Sequence, residues 1–193
     1  MSEVENLIEQ CYEQAKLGEW ERLLSEWHEF KIIAKRCSRY QKESSGWTFL
    51  HQAAYVGHVS ACKELIRLGA SPIMQSKDGE TPANVAVRKG HLNLAALLKS
   101  SEFENDSLWV TSTDPDLLPS SCLWTEANSN LSTEAMLVAY AGGVVKIPAR
   151  TIYYTDSFSR VLMGWHGTYN PPCGMDGESM LLDEPRCSDC KIG

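Results

Sequence analysis

The sequence predicts an α+β protein, in which a short α-helical repeat array, or α-solenoid, is followed by a small β-rich C-terminal domain. Three observations support this class. A residue pattern recurs at a fixed spacing within the first hundred residues, which indicates a repeat architecture. Residues 136–165 are rich in Val, Ile and Tyr and carry few helix signals, which favours strands. The balance of charged residues also differs between the two halves of the chain.

The repeat has a spacing of 33 residues. Residues 46–58 align with residues 79–91, and five positions are identical: Gly46 with Gly79, Thr48 with Thr81, Ala53 with Ala86, Gly57 with Gly90, and His58 with His91. A Thr hydroxyl before a helix accepts a hydrogen bond from a free backbone N–H, so each Thr is expected to begin a first helix. Pro82 suits the first turn of such a helix, where its missing N–H costs nothing.

After the first copy the chain continues as LIRLGASP at residues 65–72, which is typical of the end of a second helix and the turn after it. Together these residues resemble the ankyrin-repeat family over residues 44–100. The resemblance implies stacked helix–turn–helix units that bury a shared core. Two positions depart from the family pattern: Phe49 replaces the usual Pro, and Asn84 replaces the usual His. The hydrogen bonding of Thr48 and His51 must therefore differ in the second copy.

The array is expected over residues 1–100, with regular repeats at 44–76 and 77–100 and a degenerate first repeat at 4–43. Its motif Ala-Lys-Leu-Gly, ending at Gly18, matches the motif ending at Gly57 at an offset of 39 residues, which implies an insertion that we place within residues 29–44. Apolar residues recur at helical spacing in two stretches of this repeat: Leu7, Cys11 and Ala15, then Trp20, Leu23, Leu24 and Trp27. Charged residues fill the remaining faces, so we interpret it as an N-terminal cap.

A polar stretch without periodicity, residues 101–107, is the expected linker. It leads to the small acidic β-rich domain at residues 108–180, and residues 181–193 are expected to be a flexible tail. The segment 108–119 is broken by prolines and is predicted to be extended chain packed on the last repeat. Its expected anchors are large apolar residues: Trp109, Leu117, Leu118 and Trp124. We recognise no family in this half.

Successive strands are predicted at residues 144–147, 151–155 and 161–165, with a turn at 156–159 between the last two. The segment 136–141 has two alternatives. It pairs with the strand after it through a Gly-Gly turn, or it belongs to a capped helix that begins near Ser132 and ends at Gly142. The hairpin is the favoured alternative.

Charge and composition exclude several functions. Residues 101–193 hold 5 basic and 13 acidic side chains, while the first hundred residues hold 13 and 12 without a basic stripe, so nucleic-acid binding is not expected. Residues 136–147 are too short and too polar for a membrane span. The N-terminus lacks a basic flank before an apolar run, so we expect an intracellular protein, cytoplasmic or nuclear. The seven scattered cysteines are expected to be reduced thiols.

The ankyrin resemblance implies a non-enzymatic protein–protein interaction module or adaptor whose partner is another protein. In that family the turn tips and the exposed side of the first helices bind the partner. Carried over by position, these residues are Ser44, Ser45, Trp47, Tyr55, Val56, Lys77, Asp78, Glu80, Arg88 and Lys89. Trp47 and Tyr55 are the strongest candidates, because exposed aromatic residues are enriched in interface hot spots. The structural alternative is that Trp47 packs on residues 29–44 or on the acidic half.

The alternative function is an enzyme or small-ligand-binding C-terminal domain that the array delivers to a target. Its site would lie near Tyr153, Tyr154, Trp165, His166 and Asp176. Residues 164–168 resemble the histidine-containing strand of ADP-ribosyltransferases over five positions. Only 25 residues follow, too few to complete that fold, and Tyr153, Tyr154 and Glu178 have no spacing that demands the remaining roles. A structural histidine is therefore favoured at His166.

Two further hypotheses for the same region, a zinc site and a hydrolase site, involve its cysteines. Cys187 and Cys190 have the spacing of half a zinc site, with Cys173 and His166 as conceivable further ligands. A zinc site needs two clear pairs, so no metal and no cofactor are expected. A Cys-His hydrolase built from Cys173 and His166 lacks a third orienting group and a rigid turn. No catalytic residue is predicted.

Overall fold

The computed structural model describes residues 3–102, 109, 112 and 114–164. Its order of elements confirms the predicted α+β class, with helices first and strands after them. The helices of the described residues are α1 Glu3–Leu17, α2 Trp20–Glu29, α3 Lys31–Arg39, α4 Phe49–Val56, α5 Val59–Leu68, α6 Pro82–Arg88 and α7 Leu92–Ser100. None of them is long and apolar enough to cross a bilayer.

The helices stack as pairs. Helix α4 packs against its own partner α5 and lies between α1 and α6, while α6 packs against α7. Apolar residues from all the pairs form one continuous core cluster, in which Phe49 and Leu65 are fully buried. Each pair thus hides the apolar face of its neighbour, as a solenoid requires.

The N-terminal unit contains three helices, whereas each of the other two units contains a pair. Helix α1 packs against both α2 and α3, and α3 also contacts α5. The insertion predicted within residues 29–44 therefore contains a further helix, α3. Ala34, Cys37 and Ser38 are its buried residues, at the three- and four-residue spacing of one helix face.

A capping box opens α4 and joins the two regular repeats. The His51 backbone N–H donates to Thr48 Oγ1 (3.3 Å), and the Thr48 backbone N–H donates to His51 Nδ1 (3.2 Å). Because Nδ1 accepts, Nε2 carries the proton and donates to the Glu80 carbonyl (2.9 Å). Burial lowers the pKa of His51, so the ring stays neutral. In the next repeat Thr81 still accepts from the Asn84 backbone N–H, but Asn84 itself is exposed.

The turn after α4 offers a test of repeat stacking. Gly57 has φ 78°, and an added Cβ would lie 2.6 Å from His91 Cε1, whereas Gly90 has φ 81° and open space around it. We expect Gly90→Ala to lower the free energy of unfolding by about 1 kcal/mol through backbone strain alone. Gly57→Ala should cost about 1 kcal/mol more, because the His91 ring must move. Urea denaturation of both variants measures the difference, and equal losses would show that His91 is not fixed against the α4 turn.

The C-terminal strands form two sheets. The first has the order β1-β6-β5-β2, and the second is the hairpin β3-β4. The strands are β1 Ser120–Ser121, β2 Asn128–Leu131, β3 Met136–Tyr140, β4 Gly143–Ile147, β5 Ile152–Thr155 and β6 Val161–Leu162. Strand β1 pairs with β6 in parallel, and the other pairs are antiparallel.

The structure confirms the favoured hairpin, but its turn is Ala141-Gly142 and not the predicted Gly-Gly pair, because Gly143 already belongs to β4. Tyr140 pairs with Gly143, and Ala141 and Gly142 between them both have positive φ, as a two-residue turn of this hand needs. The predicted strands at 144–147 and 151–155 are confirmed as β4 and β5. Of the strand predicted at 161–165, β6 covers the first two residues, and Trp165 lies outside the described residues.

The C-terminal region docks on the second helices of the array through polar contacts with α3. Lys31 Nζ lies 2.7 Å from Glu134 Oε1, Lys35 Nζ donates to the Asp116 carbonyl (2.7 Å), and Arg39 Nη2 donates to the Leu117 carbonyl (3.2 Å). Basic side chains of α3 thus face the acidic half of the chain.

Phe158 is the apolar anchor of this contact. It is 1% exposed and belongs to the core cluster of the repeats. Of the expected anchors, Trp124 lies elsewhere, with its ring on Tyr154 (5.9 Å between centroids), whereas Trp109 packs on Tyr140 (6.1 Å) and also lies at the boundary with the array. The turn between β5 and β6 reaches into the array because Asp156 Oδ1 accepts from the Phe158 and Arg160 backbone N–H groups.

The predicted boundaries at 100 and 108 stay predictions. Most of the linker and all of the predicted tail, 181–193, lie outside the described residues.

Candidate partner-binding face

The first regular repeat, residues 44–76, carries a cluster of aromatic rings along α4 and the turn before it. The Trp47 ring lies 5.7 Å from the His51 ring and 5.9 Å from the Tyr55 ring. Tyr55 is 40% exposed, and Val56 beside it is exposed to a similar degree. Lys89 Nζ lies 3.9 Å from the centroid of the Tyr55 ring. The Lys89 ammonium lowers the pKa of Tyr55. The cluster therefore spans two adjacent repeats.

Trp47 has a partly structural role. It is half-buried and packs against the repeat core, and its carbonyl accepts from the Lys42 backbone N–H (2.9 Å). The alternative, in which Trp47 packs on residues 29–44, applies to its backbone, which bonds to Lys42. The Trp47 ring instead contacts side chains of α4. Tyr55 is consequently the more accessible aromatic residue of the pair.

An ion pair flanks the aromatic cluster. Arg88 Nε and Nη2 donate to the two Glu80 carboxylate oxygens at 2.8 and 3.0 Å, which is a bidentate arrangement. Both side chains remain accessible to solvent, so the pair contributes little to stability. Its main consequence is that two charged groups are held in fixed positions at the turn before α6.

The turn tips of the two regular repeats are joined to each other. The Ser45 carbonyl accepts from the Lys77 backbone N–H (3.0 Å), and Ser45 Oγ accepts from the Trp47 backbone N–H (3.2 Å). Ser44, Lys77 and Asp78 are exposed there. The structure thus brings the ten predicted residues, named here the partner face, onto the turns before α4 and α6 and along those helices.

Sequence reasoning missed a polar network where α1 meets the turn before α4. Lys42 Nζ lies 2.8 Å from Glu9 Oε2 and 3.3 Å from Glu13 Oε1, and the Tyr40 hydroxyl also donates to Glu9. The Lys42 ammonium lowers the pKa of the Glu9 carboxyl. The Gln52 amide donates to the Tyr12 hydroxyl (2.9 Å). The degenerate first repeat gave no alignment from which these positions could be inferred.

The residues of the alternative C-terminal site are not brought together in the described part of the chain. Tyr153 and Tyr154 are successive on β5 and face opposite sides, since Tyr153 packs on the hairpin core while Tyr154 is exposed beside Trp124. The other residues of this site and of the cysteine hypotheses lie outside the described residues: Trp165, His166, Cys173, Asp176, Glu178, Cys187 and Cys190.

Comparison with known proteins agrees with the repeat geometry. Residues 21–107 match the family model described as ankyrin repeats (3 copies), and the match does not extend into the strands. Residues 21–107 therefore carry ankyrin repeats, a class of repeat that generally mediates protein–protein interaction.

Several ankyrin-containing proteins resemble short stretches of the chain. The rice calmodulin-binding transcription activator CBT is 37% identical over 98 residues, which is 46% of this chain and 10% of that protein. The human 2-5A-dependent ribonuclease is 36% identical over 55 residues, or 28% and 7% of the two chains. The Xenopus laevis inhibitor of Bruton tyrosine kinase is 35% identical over 46 residues, or 24% and 3%. The chain thus matches a tenth or less of these relatives.

Proposed function

We propose that this protein is a non-enzymatic protein–protein interaction module, or adaptor, that binds a protein partner through the partner face. One observation carries the proposal. The aromatic and charged residues of that face lie on the first helices and turns of the repeats, whereas the polar docking contacts of the C-terminal region lie on α3 and just after α7.

Tyr55 is the expected centre of the interface. Its ring is accessible, is held between Trp47 and the Lys89 ammonium, and loses little conformational entropy when a partner covers it. The ammonium over the ring already adopts a cation–π arrangement, which is favourable by about 0.5–1 kcal/mol at an exposed site. Both groups are therefore pre-organised for binding.

The rim of the face carries both signs of charge. Arg88 and Glu80 are fixed by their own ion pair, and Lys77 and Asp78 are exposed at the turn tip. Such a rim contributes more to specificity than to affinity, because each charge rejects a partner that places a like charge opposite it. The expected partner is a folded protein or peptide with an apolar patch and mixed charges around it.

We propose an intracellular location, cytoplasmic or nuclear. The four described cysteines are free thiols, and Cys11, Cys37 and Cys62 are buried in the array, an arrangement that a reducing compartment preserves.

Affinity capture from a lysate, read by mass spectrometry, tests the proposal when two double variants are compared. Tyr55→Ala with Arg88→Ala removes one aromatic ring and one guanidinium from the partner face. We expect it to lose a partner that the unaltered protein retains, with at least a tenfold drop in affinity when that partner is purified, because hot-spot truncations cost about 2 kcal/mol or more.

The matched control is Tyr154→Ala with Arg150→Ala, which removes the same two groups from exposed positions of the C-terminal strands. It should retain the partner. Loss of the partner only in this control variant would move the binding surface to the strands and contradict the proposal.

A further inference from the structure

A cavity of about 340 Å³ lies where the C-terminal region meets the repeat array. Arg39 and Ile66 line it from the second helices, Ile73 lines it from the loop after α5, and Trp109, Ser120 and Arg160 line it from the C-terminal side. The volume is at the lower end of the range for small-molecule sites, which is about 300–1,000 Å³. Both halves of the chain therefore contribute to one partly open cavity.

Three buried polar atoms of this lining have no hydrogen-bond partner among the described residues: Ser120 Oγ, Arg39 Nε and Trp109 Nε1. Ser120 is 2% exposed. Buried polar groups are nearly always paired, so three such atoms around one cavity need an explanation. Two of them, the guanidine and indole nitrogens, are donors only, and the hydroxyl also donates. The missing partner must supply hydrogen-bond acceptors.

The charge of the lining is positive. It contains no Asp or Glu among the described residues, and of its two guanidiniums Arg160 is paired with Asp156 behind the lining, so Arg39 supplies the positive charge. Arg39 makes its hydrogen bonds to backbone carbonyls, including those of Leu68 and Leu117. Burial lowers the pKa of Arg39, with Asp114 and Asp116 opposing that shift. A partly buried cation whose hydrogen bonds all go to neutral acceptors is stabilised by an anion.

The rest of the lining is largely apolar. Ile66 and Ala70 contribute from the array, Ile73 and Met74 from the loop after α5, and Pro119 from the C-terminal side. An inorganic anion would leave these groups without contacts, whereas a hydrocarbon body would bury them.

We propose that the cavity binds a small organic acid, whose carboxylate is held by Arg39, Ser120 and Trp109 and whose hydrocarbon body packs on Ile66 and Ile73. The site is separate from the partner face and does not depend on it. Because both halves line the cavity, a bound acid stabilises the docked arrangement by mass action.

Isothermal titration calorimetry on the full chain tests this with three probes: octanoate, octan-1-ol and inorganic phosphate. We expect octanoate to bind, and octan-1-ol and phosphate to bind at least about tenfold more weakly, since each lacks one half of the recognition. Absence of octanoate binding, equal binding of the alcohol, or equal binding of phosphate would each overturn the proposal.

A pair of neighbouring serines supplies the matched variants. Ser120→Ala removes a hydroxyl without a partner among the described residues, so the melting temperature should be retained while octanoate binds about tenfold more weakly. Ser121→Ala removes a hydroxyl that accepts from the Leu123 backbone N–H, outside the cavity lining, and should leave octanoate binding unchanged. Unchanged octanoate affinity in Ser120→Ala would contradict the site.

Discussion

Replacing Phe158 by Ala is expected to lower the free energy of unfolding of the whole protein by about 3–5 kcal/mol. Phe158 comes from the turn between β5 and β6, yet its ring is 1% exposed within the core cluster of the repeats. Truncation therefore opens a cavity in the array and removes the apolar anchor of the C-terminal region. Urea denaturation followed by tryptophan fluorescence and by circular dichroism measures both effects.

Two companion variants make the Phe158 result interpretable. Phe158→Leu nearly fills the site and should cost less than about 1.5 kcal/mol, so it stays folded if the Ala variant does not. Tyr154→Ala removes an aromatic ring of the preceding strand that is 39% exposed and should cost about 1 kcal/mol or less. Equal stability of Phe158→Ala and Tyr154→Ala would contradict the anchoring role.

Arg160→Met should destabilise the protein by about 3–5 kcal/mol, because it leaves a buried carboxylate without its main cation. Arg160 is 4% exposed. Its Nε donates to Asp156 Oδ2 (2.8 Å), and its Nη1 donates to the Ser101 carbonyl just after α7 (2.9 Å). The Arg160 side chain therefore bonds both within the β5–β6 turn and to the residue that follows α7. Thermal and urea denaturation measure the loss.

A double-mutant cycle distinguishes the contribution of the ion pair to this loss of stability from the contribution of packing. Adding Asp156→Asn to Arg160→Met removes the stranded charge but keeps an oxygen that accepts from the Phe158 and Arg160 backbone N–H groups. Part of the lost stability should return. Arg150→Met, at an exposed position, should change stability by less than about 0.5 kcal/mol. No recovery in the double variant would mean that packing, not the ion pair, dominates at Arg160.

The regular repeats were predictable because their signals are local. The Thr caps mark where the first helices begin, and the glycines mark where they end. The 33-residue spacing repeats both signals, so α4 to α7 could be predicted from the sequence. Helix α3 did not, because it lies between Phe30 and Tyr40 without a side-chain cap at its start. Its buried Ala34 and Cys37 are small, and its basic residues find their partners about 80 or more positions away in the C-terminal half.

Some of the C-terminal strands could likewise be predicted from local signals, and others could not. The hairpin β3-β4 combines apolar residues with a two-residue turn that contains Gly142, a strong local signal. Strands β1 and β2 read Ser-Ser and Asn-Ser-Asn-Leu, which lack β-branched residues, and they form only because β6 and β5 offer partners.

The two sites differ for a related reason. The proposed partner face lies within two consecutive repeats, so its ten candidate residues could be named from a positional resemblance alone. The cavity joins Arg39, Ile66, Trp109, Ser120 and Arg160 from across the chain, and no sequence pattern links them. Phe158 and Arg160 likewise gave no signal, because a turn residue is recognised as an anchor only once its neighbours in space are known.

Hydrogen exchange read by mass spectrometry, on the full chain with and without its purified partner, tests the central claim most directly. We predict slower exchange in peptides from α4, from α6 and from the turn at residues 77–81 when the partner is bound, with α3 and β2 unchanged. Slower exchange confined to residues 120–164, with α4 and α6 unaffected, would contradict the assignment of the repeat face as the binding surface.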